Sequence, residues 1–276
     1  MKRRLLPSLL LALALALALT ACASDTAPVS PTPASSEAEP EPPVTVIPIP
    51  EEDSEPARTV DPSRPMVALT FDDGPHPEYT DRILDILEEH QAAATFFEVG
   101  VNLQKASDAV RRAQDLGCEI GSHSYRHADL GKLDEAALQA DLEAANAAFT
   151  EVLGQAPTLL RPPYGSMNKT VKSLSDQTLV TWSVDPRDWK SRDAEAVTAY
   201  LQGMENLDGQ VILLHSIYES TVEALETLVP WLQEQGYQLV TFSELIELRF
   251  SDQVEPGRLY NFDYFRGQLP PLPEHE

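Results

Sequence analysis

Met66-Val67-Ala68-Leu69-Thr70-Phe71 runs straight into Asp72-Asp73-Gly74-Pro75. The first six residues form a β-rich apolar run, and the next four are polar or turn-forming, which marks the end of a strand. Residues 79–90 follow as an amphipathic helix with Ile83, Ile86 and Leu87 on one face. The pattern then recurs. Strands are predicted at residues 94–99, 118–121, 158–160, 179–184, 210–214 and 238–242, and helices at 103–116, 134–153, 193–206, 220–235 and 243–249. The helix at 134–153 puts Leu138, Leu142, Ala145 and Phe149 on one stripe and stops before Gly154, a good residue for a helix end. Repeated β-then-α units predict an α/β protein with a mostly parallel sheet, open or closed into a barrel. About seven strands in about 185 residues favour a barrel short of the usual eight units. No internal repeat is found.

Upstream of Met66 the texture differs. Residues 1–22 combine a basic start (Lys2, Arg3, Arg4), an apolar stretch from Leu5 to Leu19 and a small-residue end, which reads as a secretory signal rather than a bilayer-spanning helix. Residues 23–65 contain eleven of the chain's 23 prolines and nine acidic residues against two basic ones. Proline fixes φ and removes a donor, so this segment is predicted to be a disordered, extended spacer. Residues 251–276 carry Tyr260, Phe262, Tyr264 and Phe265 before a Pro-rich polar end. Partial docking and a loose end are expected there. The formal net charge of −24 over 276 residues argues against nucleic acid as a partner, since phosphate recognition needs a basic face. Two cysteines, Cys22 and Cys118, are too few for a disulfide framework.

In parallel α/β folds the chemistry collects beyond the carboxyl ends of the strands. Five clusters lie there. Asp72 and Asp73 are adjacent carboxylates, which a metal on one and a proton-handling role for the other would reconcile; alone they are equally an Asx turn before Gly-Pro. In His123-Ser124-Tyr125-Arg126-His127 the two histidines can aim one ring nitrogen each at a common ion, and a carboxylate from another strand end, Asp73, would complete an open three-ligand site. Arg161-Pro162-Pro163-Tyr164 has a stiff backbone that can hold the guanidinium and the Tyr164 N–H at a cleft, or is a plain turn. Asp185-Pro186-Arg187-Asp188-Trp189 offers two carboxylates and an indole, and His215 ends the sixth strand. Each cluster has a purely structural explanation by itself, but five such coincidences at successive strand ends are not credible together.

Residues 70–75, 123–127, 161–164, 185–189 and 213–215 resemble, in order, the five motifs of the polysaccharide deacetylases, carbohydrate esterase family 4 or the NodB-homology domain. The likeness covers about residues 66–250 as the catalytic domain. It implies a distorted (β/α) barrel that removes acetyl groups from N-acetylated sugars with a divalent metal, usually zinc, with cobalt or another divalent ion as alternatives. Carried over by position, Asp73, His123 and His127 would be the metal ligands and Asp72 the general base, oriented by Arg161. The Tyr164 N–H would face the oxyanion, and His215 would protonate the leaving amine with Asp188 as its first partner and Asp185 as its second. Leu213 and Trp189 would bound the methyl pocket. Ser216 stands where many relatives have Asp. Cys118 reads as a small buried thiol rather than a fourth ligand.

Leu19-Thr20-Ala21-Cys22 resembles the lipobox of bacterial lipoproteins, which implies lipidation of Cys22 and an extracytoplasmic protein held to the membrane through its N-terminal lipid. A tethered deacetylase on a spacer points to peptidoglycan N-acetylglucosamine as the polysaccharide substrate. Chitooligosaccharide or O-acetyl (xylan-type) deacetylation and a catalytically silent carbohydrate-binding lipoprotein are the alternatives. No protein partner is inferred.

Overall fold

The structure, a computed structural model, describes residues 58–268. The signal segment, Cys22 and most of the spacer lie outside these residues. Among the described residues there are eight strands: β1 (Met66–Asp72), β2 (Thr95–Glu98), β3 (Glu119–Ser122), β4 (Leu159–Leu160), β5 (Thr178–Val180), β6 (Val211–His215), β7 (Gln238–Leu239) and β8 (Leu259–Tyr260). All pair in parallel, in the order β6-β1-β2-β3-β4-β5-β8, with β7 added to the start of β1. The helices are α1 (Tyr79–Glu89), α2 (Ser107–Asp115), α3 (Glu135–Leu153), α4 (Lys169–Leu174), α5 (Asp188–Ser191), α6 (Ala194–Gln202) and α7 (Glu219–Glu234). A short helical stretch, Phe242–Glu244, runs into a π-helical turn, Leu245–Arg249, and a last helix covers Phe262–Gln268. Among the described residues no helix is long and apolar enough to cross a membrane.

β1 is an interior strand, flanked by β6 and β2, and every one of its residues is buried. Covered by helices on one side and filled by side chains on the other, it needs no polar alternation. Phe71 stacks on Phe96 of β2 with ring centroids 5.0 Å apart. α3 forms as its stripe predicts: Leu138, Leu142, Ala145 and Phe149 are buried, the Asp134 carboxylate accepts the Ala137 N–H at 2.8 Å, and Gly154 ends the helix at φ 76°. Each large apolar side chain so buried contributes about 1.5–3 kcal/mol.

Five expectations are corrected. The strand expected at 179–184 breaks in two, because the chain changes partner: Thr181 N–H bonds the Tyr260 carbonyl, whereas Ser183 N–H bonds that of Val211. Val184 then pairs with Ile212, so the far end of this segment reaches back to β6 and partly closes the curled sheet. The strand expected at 238–242 stops at Leu239, because Thr241 and Glu244 form a reciprocal capping box that starts a helix instead. The first turns of the helix expected at 103–116 are 3-10 helix, Gly100–Ala106, and the one expected at 193–206 ends at Gln202. Finally, the packed unit extends beyond residues 66–250. Arg58 pairs with Glu244, Asp61 and Gln238 exchange two hydrogen bonds of 2.8 Å, and Tyr260 and Phe265 are fully buried against Phe242 and Leu245. Tyr260 and Phe265 thereby join the core cluster that holds Met66, Ala68 and Phe97.

Candidate active site

Parallel pairing brings the carboxyl ends of the strands to one rim. Asp72 stands opposite His215, and Glu98 opposite Ser122. Asp72, Glu98, Ser122 and His215 are the last residues of their strands. The loops that follow leave ordinary backbone conformations where the site requires it: Asp73, His127 and Tyr164 have φ values of 73°, 57° and 61°. Non-glycine residues accept this region only at a cost, and such strain clusters at functional sites. Gly74 is required sterically, since a Cβ there would collide with Ser216 Oγ and Glu98 Oε2.

Asp73, His123 and His127 each offer one ligand atom, all within 4.8 Å of one another. His123 Nδ1 lies 2.7 Å from the Arg161 carbonyl oxygen. A carbonyl only accepts, so Nδ1 carries the proton and Nε2 presents a lone pair. That Nε2 is 3.4 Å from Asp73 Oδ1, and His127 Nε2 is 3.0 Å from the same oxygen. Yet Asp73 Oδ1 is buried with no properly formed hydrogen bond among the described residues. Unpaired buried carboxylate oxygen and two imidazoles aimed at it suit a divalent cation, and the donor set fits zinc or cobalt. Burial pushes the Asp73 carboxyl up, but the two imidazoles outweigh it and hold the group well below the usual carboxylate range. His127 is raised by its contact with Asp73, against burial.

Asp72 and Arg161 form a buried ion pair, with Arg161 Nη1 2.8 Å from Asp72 Oδ1. The guanidinium is fully buried and also bonds Thr70 Oγ1 at 2.7 Å and the Thr181 carbonyl at 3.0 Å, with its Cζ 4.0 Å from the Phe97 ring centroid. Burial pushes its pKa down, and the Asp72 charge works against that. Only a guanidinium can satisfy acceptors on three segments while lying on an aromatic face.

His215 Nδ1 lies 2.8 Å from Asp188 Oδ1. Asp188 is fully buried, and its Oδ2 also accepts the His215 N–H at 2.8 Å and the Thr221 hydroxyl at 2.7 Å. Burial opposes the imidazolium, but the Asp188 contact and charge prevail, so His215 is raised above the ordinary histidine range. Asp185, the second candidate partner, instead accepts the Arg187 N–H at 2.8 Å and faces the Trp189 indole nitrogen at 3.5 Å.

A cavity of about 390 Å³ unites these groups. Asp72, Asp73, His123, His127, Tyr164, Trp189, Leu213 and His215 line it, with Trp182, Asp185 and Tyr218. Arg161 and Asp188 stand one hydrogen bond behind the wall, on Asp72 and His215 respectively, and so position groups that face the cavity. The Tyr164 N–H meets no acceptor among the described residues. Cys118 is buried in the core among Phe149 and Val152, its thiol pushed up to about 11 by burial. Ser216 is buried, and both its N–H and its hydroxyl point to the Asp72 carbonyl.

Sequence reasoning missed Thr70, Tyr218, Thr221 and Glu98. Glu98 is the most unusual: it is 1% exposed, its Oε2 has no partner among the described residues, and burial, reinforced by Asp72 and Asp73, pushes it well above the usual range. A charged residue inside the apolar run Ala94-Thr95-Phe96-Phe97-Glu98-Val99 was the one signal available.

The sequence profile of the family described as polysaccharide deacetylase matches residues 59–181. Peptidoglycan-N-acetylmuramic acid deacetylase PdaC of Bacillus subtilis is 37% identical, over 69% of this chain and 41% of its own. Its solved structure gives a TM-score of 0.66 over 68% of this chain and 93% of that one. A peptidoglycan-N-acetylglucosamine deacetylase of Bacillus cereus is 35% identical, over 67% of this chain and 89% of its own. The family 4 acetyl xylan esterase from Clostridium thermocellum, solved in complex with a cobalt ion, gives a TM-score of 0.65 at 33% identity, over 71% of this chain and 98% of that one. The curled parallel sheet with its polar rim is thus a NodB-type (β/α) barrel. The chain belongs to the polysaccharide deacetylase family. It spans about two fifths of the length of PdaC.

Proposed function

We propose that this chain hydrolyses the N-acetyl groups of a polysaccharide, with peptidoglycan N-acetylglucosamine as the substrate, and that it needs a divalent metal, zinc first, to do so. One observation carries the reading: a base held by a buried guanidinium and an acid held by a buried carboxylate share a cavity with a cation-ready Asp-His-His triad. Asp73, His123 and His127 would hold the cation, which would supply Lewis acidity toward an amide carbonyl and lower the pKa of bound water to about 7. Asp72, kept in place by Arg161, accepts the proton of the attacking water. The Tyr164 N–H is free to donate to the carbonyl oxygen as negative charge develops on it, a type of contact whose loss costs about 3 kcal/mol in other enzymes. His215 donates its proton to the departing nitrogen, so the products are a free sugar amine and acetate. Leu213 and Trp189 offer an apolar surface for the acetyl methyl.

The names of the Bacillus relatives support peptidoglycan, with N-acetylglucosamine in one and N-acetylmuramic acid in the other. We further propose that a lipid on Cys22 holds the enzyme at the outer face of the membrane and that the Pro-rich spacer gives it reach into the wall. The acidic surface would not repel the cationic product. The Clostridium thermocellum esterase supports a second reading, O-deacetylation of xylan-type polymers with the same residues.

The test is acetate and amine release from purified peptidoglycan, chitin oligomers and acetylated xylan, with zinc present and after chelation. Metal-dependent release from peptidoglycan above the other two supports the proposal, and preference for xylan replaces it with the second reading. Asp72→Asn is expected to abolish turnover while metal and glycan still bind. Unaltered function in that variant would indicate a binding module instead.

A further inference from the structure

The cavity that holds Asp72 and His215 shares two wall residues, Trp182 and Asp185, with a neighbouring cavity of about 580 Å³, whose other walls are Ser183, Pro186, Arg187 and Tyr200. Both volumes are in the range of small-ligand sites. A polymer bound in the first is therefore placed to extend past Trp182 and Asp185 toward the second. None of the proposed chemistry uses Arg187 or Tyr200.

Acidic residues outnumber basic ones 44 to 20, and arginines such as Arg112, Arg161, Arg249 and Arg258 are each taken up by carboxylates. The Arg187 side chain is exposed and makes no hydrogen bond or ion pair among the described residues. Asp185 stands two positions away, but its carboxylate is turned to the Arg187 backbone N–H and the Trp189 indole. A free guanidinium thus sits at a cavity that also has a partly exposed indole and a Tyr200 that is 49% exposed. Aromatic faces pack on sugar rings, and an unpaired guanidinium takes a carboxylate with two parallel bonds. In a protein of net charge −24 an anionic polymer is otherwise repelled, so attraction is needed at the cleft itself.

We propose that this second cavity binds the muramic-acid sugar next to the reacting N-acetylglucosamine, with Arg187 pairing its free lactyl carboxylate and Trp182 and Tyr200 packing against its ring. The proposal rests on the peptidoglycan reading above. Chitin and xylan backbones have no carboxylate to offer at that position. In glycan that still bears stem peptides the lactyl group is an amide, so the preferred strand is one stripped of peptide.

The full chain is compared with its Arg187→Gln variant on four glycans of equal length: peptide-free peptidoglycan, the same with its lactyl carboxyl amidated, stem-bearing peptidoglycan, and chitin oligomer. The substitution is expected to lower kcat/KM on peptide-free glycan about tenfold or more, through KM, because a charge-assisted pair is lost. The amidated glycan and the chitin oligomer should be unaffected. An equal effect on all four, no effect, or a wild-type preference for stem-bearing strands overturns the proposal. Calorimetric binding of the same glycans to Asp72→Asn, with and without Arg187→Gln, reads the site without turnover. If no glycan releases acetate but binding still shows an Arg187-dependent preference for the carboxylate, the subsite stands and the deacetylation reading falls.

Discussion

His123 donates its Nδ1 proton to the carbonyl oxygen of Arg161 at 2.7 Å, and the guanidinium of the same Arg161 holds Asp72 at 2.8 Å. One residue therefore sets the tautomer of a candidate metal ligand with its backbone and the orientation of the candidate base with its side chain. Pro162 and Pro163 follow it directly, which fixes the backbone from which both contacts are made. A displacement of Arg161 would disturb metal binding and proton transfer together.

Arg161→Met is expected to destabilise the fold by about 3–5 kcal/mol, since it leaves the Asp72 carboxylate buried without its partner. Urea unfolding at pH 7 measures this. A loss under 1 kcal/mol would mean that Asp72 finds other partners or water.

Asp188→Asn should move the alkaline limb of the pH–activity profile to lower pH. His215 must be protonated to donate, so its contribution is present below its pKa and lost as pH rises through it. Asp188 keeps that pKa above the ordinary value. Removing an opposite charge at this distance shifts a pKa by about 1 unit or more, so turnover at pH 8 falls about tenfold. An unmoved limb would assign it to another group. Thr221→Val, which removes only one hydrogen bond to Asp188, should lower turnover a few fold.

Glu98→Gln is expected to stabilise the metal-free protein increasingly as pH rises. The folded-state pKa of Glu98 lies well above 4.5. Above that pH the unfolded chain has released a proton that the folded protein still holds, so stability drains away at up to about 1.4 kcal/mol per pH unit until Glu98 itself ionises. Thermal unfolding of wild type and variant from pH 5 to 8 in a chelator should show the gap widening with pH. A constant gap would refute the assignment.

Zinc should raise the melting temperature of the wild-type chain, and chelation should reverse it. At 100 times Kd the stabilisation is about 2.7 kcal/mol. Asp73→Asn, His123→Ala and His127→Ala should each abolish most of the shift, whereas Asp188→Asn should keep it. A full shift in all three ligand variants would place the metal elsewhere.

Much of this was legible in local sequence. The strand–helix alternation follows from apolar runs and their spacing, and the extent of α3 from Asp134 at one end and Gly154 at the other. The residues of the polar rim were found because parallel strands must present their carboxyl ends together, so strand ends were the places to look. Glu98 escaped because its surroundings come from remote segments: Asp72 ends β1, Asp73 follows it, and Ser216 follows β6. The division of residues 179–184 escaped because it reflects competition between Tyr260 and Val211 carbonyls for one run of N–H groups. The tail joined the sheet for the same kind of reason, as Leu259 and Tyr260 pair with Leu179 and Val180 of β5, 80 residues earlier.

By itself the sequence determined which chemical groups stand at the strand ends and in what order, because hydrophobic period and turn chemistry act over a few residues. Only the tertiary structure decided that Asp188 rather than Asp185 meets His215, that His123 is held by Arg161 with Nε2 free, and that an unpaired arginine borders the cavity. Those outcomes depend on parallel register and on burial, which bring together groups far apart in the chain and set their distances to within a hydrogen bond.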